Sequence, residues 1–181
     1  MPTETEDLPL RGLKLIRPAV FEDARGYFLE LHHERRFAAL GMGDALVQDN
    51  LSYSRRGVLR GLHFQTPGWQ GKLVSVVRGE VFDVAVDLRR DSPTFGQWHG
   101  LTLSEQNHRQ LWVPPGFAHG FCVTGEEALV LYKCSAFYEP AQEQTLLWND
   151  PELGISWPVE RPLVSDKDAR GRRLRELPLA G

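Results

Sequence analysis

Cysteine and methionine are scarce, each occurring twice in 181 residues. Cys122 and Cys134 sit in alternating apolar stretches without the close spacing of a redox or zinc pair. A disulfide scaffold is therefore set aside, and both are expected to be reduced, buried thiols. Charge of one sign is also lacking. Lys and Arg number 21 against 24 Asp and Glu, a net charge of −3. The average thus gives no electrostatic reason to bind nucleic acid or an anionic membrane, and an anionic ligand has to be captured locally. No window approaches the ~18 apolar residues of a membrane span. The acidic start MPTETEDLPL has no charged-then-apolar leader, and a cytoplasmic location is expected. Internal repeats and low-complexity linkers are absent. The one sharp shift in composition is SDKDARGRRLRE at 165–176, by default a solvated tail.

What is present fits a single domain over residues 1–181, with a hydrophobic fraction of 41% to build its core. Seventeen glycines and twelve prolines punctuate short β-rich runs, a spacing that points to an all-β barrel or sandwich. Strands are expected at 73–77, 81–88, 99–103, 109–113, 119–123, 128–134 and 144–148, with RGE at 78–80 as a hairpin turn. One helix is expected at 33–41, where Phe37 and Leu40 share a face and Gly41 suits the C-terminal stop. The apolar run LKLIRPAV at 13–20 reads as an edge strand in need of a partner.

Three stretches carry polar side chains into apolar strands: RGLHFQ at 60–65 with Lys72 soon after, PPGFAHGF at 114–121, and LYKCSAFYEP at 131–140. Such a pattern suits a barrel around a polar pocket. His63 and His119 each follow a glycine-containing turn, and the two stretches resemble the paired motifs of the cupin barrel. Metal-binding cupins supply His-x-His and a glutamate in the first motif. Here Gln65 and Lys72 stand in that region, leaving two imidazoles where zinc or iron sites use three or four protein ligands, together with a repelling cation. No metal and no cofactor are expected. His63 is then a base or a core histidine. Histidine, with an unperturbed pKa near ~6.5, can take a proton at neutral pH. A lysine can stabilise the enolate formed beside a carbonyl, and a tyrosine can return a proton to the other face. Removal from one face and return to the other inverts a carbon. Arg60 and His63 have opposite strand parity, so both reach one pocket only if Gly61 marks a bulge. Asp83 and Asp87, on one face of VFDVAVDL, are expected in structural hydrogen bonds.

Long motifs in order extend this reading: DARGYFLE at 23–30, VQDNLSYSRRGVLRGLHFQ at 47–65, GKLVSVVRGEVFDVAVDLRRDSPTFGQW at 71–98, WVPPGFAHGF at 112–121, LYKCSAFYEP at 131–140, LLWNDPELGISWP at 146–158 and LVSDKD at 163–168. With these the chain resembles the dTDP-4-dehydrorhamnose 3,5-epimerases. The resemblance implies a cupin-type double-stranded β-helix, or jelly-roll, with a few short peripheral helices. It implies His63 as base, Asp168 as its partner, Tyr132 as proton donor on the opposite face and Lys72 beside the C4 oxygen. Arg25, Glu30, Gln48, Asn50, Arg60, His119, Glu143 and Lys167 would line the dTDP-sugar site, the arginines and Lys167 facing the pyrophosphate. Tyr138 would stack on thymine, and Asp166 would stay in solvent. A homodimer is implied too, joined through N-terminal strands within about residues 1–50, with residues 150–181 packing over the site. The rivals are a 3-epimerase of a related deoxysugar, a non-catalytic sugar-binding cupin and a metal-dependent enzyme on the same barrel.

Overall fold

Two long strands carry the architecture. The computed structural model describes residues 3–43 and 45–179. Its strands in chain order are β1 (Glu4–Asp7), β2 (Lys14–Arg17), β3 (Val20–Asp23), β4 (Gly26–Leu29), β5 (Gln48–Arg55), β6 (Leu59–Gln65), β7 (Lys72–Asp87), β8 (Trp98–Ser104), β9 (Gln110–Val113), β10 (Phe117–Cys134) and β11 (Glu143–Thr145). β7 and β10 pair antiparallel from Phe117 opposite Asp87 to Cys134 opposite Lys72. Around this spine the order is β1-β2-β9-β7-β10-β6-β11, with β5 added to β10 and β8 to β7; β3 and β4 form a separate hairpin. The main sheet curls into the cupin-type jelly roll.

Residues 78–80 are not a hairpin turn, contrary to the sequence expectation. Gly79 has φ of +79°, and the ladder continues past it with register breaks between Val123 and Ala128 and between Leu129 and Val130. The chain bends at a bulge instead of reversing. A Cβ at Gly79 would lie 1.8 Å from the Glu127 carbonyl oxygen, so only glycine allows the close approach. The stretches expected as two pairs of short strands are therefore two continuous ones. The strand expected at 144–148 is likewise shorter and earlier, at Glu143–Thr145.

Both faces of the β7–β10 spine are covered, which explains its near-continuous apolar run. One face buries Val81, Ala85, Phe117, Phe121 and Val123 inside the barrel. The other buries Val84, Val86 and Ala118 against Leu62, Phe64, Leu146, Leu153, Leu174, Leu177 and Leu179. Truncating a fully buried leucine here, such as Leu103, should cost about 2–5 kcal/mol. The basic stretch at 165–176 is thus held to the barrel, because its Leu174, with Leu177 and Leu179 just beyond it, belongs to this outer layer. Bridges from Val58 to Leu163 and from Leu146 to Arg172 tie it down at both ends. Helix α1 (Glu34–Ala39) sits where expected; Phe37 packs with Ile16, Leu73 and Trp112, and Gly41 has φ of +84°. Cys122 and Cys134 are free and buried.

Asp87 fixes the loop after β7. Its carboxylate accepts from Arg89, Ser92 and Thr94. Burial works against its ionisation, but the Arg89 guanidinium and the two hydroxyls outweigh it and hold its pKa at about 2.

Candidate active site

One end of the barrel holds a cavity of about 340 Å³. β5 supplies Gln48, Asn50 and Ser52, three residues of one strand face; β6 supplies Arg60, His63 and Gln65; β7 supplies Lys72; β10 supplies His119, Tyr132 and Cys134; and Tyr138, Glu143 and Lys167 close the rim.

Arg60 and His63 both reach this cavity because β6 is bulged. His63 lies opposite His119 and Arg60 opposite Phe121, so three steps on β6 face two on β10. The bulge falls where glycines meet: a Cβ on Gly61 would come 2.7 Å from the Gly120 Cα and 2.8 Å from the His119 carbonyl oxygen. Arg60 is aimed by Ser54, whose hydroxyl accepts from its Nε at 2.8 Å.

His63 Nε2 and Asp168 Oδ1 are 2.6 Å apart. Asp168 is 3% exposed and sits on the short helix α2 (Asp166–Ala169), where the Ser165 hydroxyl caps its backbone amide at 3.1 Å. Its other oxygen accepts from the Gly61 amide at 3.2 Å. Burial opposes ionisation of Asp168, yet His63, the Gly61 amide and the Lys167 charge together hold its carboxyl below the usual range. An ionised carboxylate has no proton to give, so Nε2 of His63 is the donor and Nδ1 keeps the basic lone pair. Asp166, its neighbour, is exposed.

Lys72 is buried, and its ammonium donates to the His63 carbonyl oxygen at 3.2 Å. Burial pulls its pKa down from the usual lysine value, partly countered by Cys134, Asp83 and Glu143. Tyr132 is shifted the other way: burial pushes its phenol up, which keeps it protonated as a donor. His119 Nε2 is 2.9 Å from an oxygen of Asp83, a residue with no exposed surface. Asp83 is thus in hydrogen bonding, but as the orienter of a cavity histidine rather than of the scaffold alone. At the rim, Tyr138 Oη donates to Glu143 at 3.0 Å and Lys167 Nζ donates to the other Glu143 oxygen at 2.8 Å. Burial opposes ionisation of Glu143, and the bonds from Lys167 and Tyr138 prevail and lower its pKa.

Eleven of the thirteen sequence-named residues, those from Gln48 to Asp168, gather at this cavity or bond directly to a residue lining it. Arg25 and Glu30 do not line it. Arg25 sits on the β3–β4 hairpin, paired with Asp23 at 2.6 Å, and Glu30 pairs with Arg36. Ser52, Gln65, Gln70 and Cys134 line the cavity without having been singled out as site residues. Strand parity was the signal for two of them: Ser52 continues the Gln48–Asn50 face, and Cys134 follows Tyr132 by two. Among the described residues no group of three or more His, Cys, Asp or Glu side chains is placed to hold a metal ion. Nor is any helix there long and apolar enough to cross a membrane.

The cavity of this cupin-type barrel thus gathers a His-Asp pair, a buried lysine and a part-buried tyrosine, groups whose chemistry is to take up and release protons. Residues 7–176 match the family model described as dTDP-4-dehydrorhamnose 3,5-epimerase. A protein of that name from Neisseria gonorrhoeae is 56% identical over 167 residues; the match covers 92% of this chain and about half (51%) of that longer protein. The crystal structure of the Legionella pneumophila 3,5-epimerase, in complex with dTDP-4-keto-L-rhamnose, superposes with a TM-score of 0.94 at 48% identity, covering 97% of this chain and 94% of that one. A dTDP-4-dehydrorhamnose 3-epimerase from Streptomyces niveus is 45% identical over 176 residues, covering 96% of this chain and 85% of that protein. The chain belongs to the dTDP-4-dehydrorhamnose 3,5-epimerase family.

Proposed function

We propose that the protein inverts C3 and C5 of dTDP-4-dehydro-6-deoxy-α-D-glucose to give dTDP-4-dehydro-β-L-rhamnose, the epimerisation step of dTDP-L-rhamnose synthesis. The observation that carries this is the His63–Asp168 contact in the same cavity as Lys72 and Tyr132. Both carbons are α to the C4 ketone, so their protons become acidic once the enolate oxygen is stabilised. His63 Nδ1 takes the proton, and the Asp168 carboxylate steadies the imidazolium. The Lys72 ammonium, desolvated and held by the His63 carbonyl, faces the developing oxyanion with little competition from water. Tyr132 returns a proton from the opposite face. Arg60 and Lys167 engage the pyrophosphate, Gln48, Asn50, His119 and Glu143 line the sugar nucleotide, and Tyr138, 46% exposed at the rim, stacks on thymine.

Homodimer formation belongs to the same proposal. The β3–β4 hairpin exposes Phe21, Tyr27 and Phe28 at 58%, 56% and 68%, an apolar surface suited to a second copy. Arg25 and Glu30, outside their own cavity, would then reach the partner's. Light scattering tests this: a dimer is expected, and a monomer at micromolar concentration rejects it.

Incubation with the 4-keto sugar nucleotide in deuterated water tests the reaction. Deuterium at both C3 and C5 with an L-configured product is expected. Label at C3 alone assigns the protein to the 3-epimerases, and no label rejects both readings.

A further inference from the structure

In the irregular segment after β10, one backbone group on each of four consecutive residues, 136–139, is held by the side chains of three glutamines. Gln70 Nε2 donates to the Ala136 carbonyl at 2.8 Å. Gln65 Nε2 donates to the Phe137 carbonyl at 3.2 Å, and Gln65 Oε1 accepts from the Glu139 amide at 2.8 Å. Gln48 Oε1 accepts from the Tyr138 amide at 2.8 Å. Gln65 also donates to the Gly68 carbonyl at 3.1 Å, so one amide ties two loops to the end of β6. Gln65 is 2% exposed, whereas Phe137 and Tyr138 within its grip are 65% and 46% exposed. Backbone bonds fix only the ends of this segment, the Ser135 amide donating to the Gly71 carbonyl at 2.9 Å and the Glu139 carbonyl accepting from the Gln142 amide at 2.9 Å; among the described residues, 136–138 make no backbone–backbone bond. A loop whose backbone is pinned while its aromatic side chains stay open is a platform set before ligand arrives.

We propose that Gln65 is a positioning residue for nucleotide recognition: it fixes the Tyr138 ring for the base and couples that platform to β6, the strand that carries His63. The inference rests on the reading of Tyr138 as the base-stacking residue. Both amide hydrogens and the oxygen of Gln65 are engaged, so no smaller or charged side chain reproduces the set. Gln65→Glu keeps the shape and an acceptor for the Glu139 amide, but it turns two donated bonds into contacts between a carboxylate and carbonyl oxygens. The loop then has to be ordered by the ligand, and affinity falls.

The test measures dTDP binding by calorimetry for wild type, Gln65→Glu, Tyr138→Ala and the double variant, with steady-state kinetics on the sugar nucleotide. Gln65→Glu should weaken dTDP binding about tenfold or more and raise KM by a similar factor, with kcat and its pH profile unmoved. In the Tyr138→Ala background the same change should cost less than about twofold, because the platform it serves is gone. Additive losses, unchanged dTDP affinity, or a fall in kcat with a displaced pH profile would overturn the inference. If Gln65→Glu does not fold, Gln65→Met, which keeps the volume and removes all three bonds, is held to the same outcomes. Wild-type protein that does not bind dTDP would reject the parent reading as well.

Discussion

Replacing Asp168 by asparagine tests the link between fold and chemistry. The side chain keeps its size, and its oxygen can still accept from the Gly61 amide. Two things are lost. One is the charge beside the imidazolium: a hydrogen bond to an ionised group contributes about 1.5–3 kcal/mol, and at about 1.4 kcal/mol per decade this is about 10- to 150-fold in rate. The other is the tautomer. An asparagine amide can donate to His63 Nε2, which drives the ring proton to Nδ1 and removes its basic lone pair. About another tenfold is assigned to this depopulation, giving a fall in kcat of about 10²- to 10³-fold, within the range of general acid–base catalysis. The assay is deuterium wash-in at C3 and C5 followed by NMR, with dTDP affinity as the control for an intact site. A loss in kcat of less than about threefold, with affinity intact, would refute the assignment of Asp168 as the partner of the base.

Lys72→Met should lower kcat by about 10²- to 10³-fold, since it removes the charge proposed to face the enolate. It should also raise the Tm by a few degrees, because a desolvated ammonium that donates to the His63 carbonyl, its one acceptor among the described residues, is exchanged for a side chain that suits its site. A falling Tm would contradict the reading of a charge kept at a cost in stability. Asp87→Asn should destabilise the fold by about 1–2 kcal/mol at pH 7. The low pKa of about 2 allows somewhat more, but solvent screens the part-exposed Arg89. The folded-state pKa is depressed, so this contribution is fully present above the unfolded carboxylate's value near ~3.9 and is lost as pH falls through about 2. Urea titrations should therefore show wild type and variant converging as pH falls from 4 towards 2, and a gap that stays constant would sink the linkage.

Much of the site was legible because its residues carry chemistry in short motifs. The β6 stretch RGLHFQ displays the proposed base, the bulge glycine and Gln65 together, and the parity conflict between Arg60 and His63 itself pointed to the bulge now seen opposite Gly120. The absence of a metal ligand at Gln65 was visible too, but its work was not: holding a loop after β10 is a property of distant backbone groups. The hairpin expected at 78–80 failed for a related reason. A glycine flanked by apolar runs looks alike whether the chain reverses or bends, and only the pairing of Gly79 with Ala128 decides. Charge density alone made 165–176 look solvated, because a single leucine among its charges, Leu174, gives no period that reveals a covering layer. Asp83 was expected in a structural role, and its partner His119 could not be read from spacing, since the two lie on neighbouring strands.

The central claim is that protons leave one face of the sugar through His63 and return to the other through Tyr132. Tyr132→Phe tests it in one measurement: exchange and inversion of the 4-keto sugar nucleotide followed together by NMR in deuterated water. The expected result is continued deuterium wash-in at the carbons beside the ketone, with formation of the L-sugar lowered by about 10²-fold or more. Inversion at the wild-type rate, or exchange and inversion lost in equal measure with dTDP affinity intact, would contradict it.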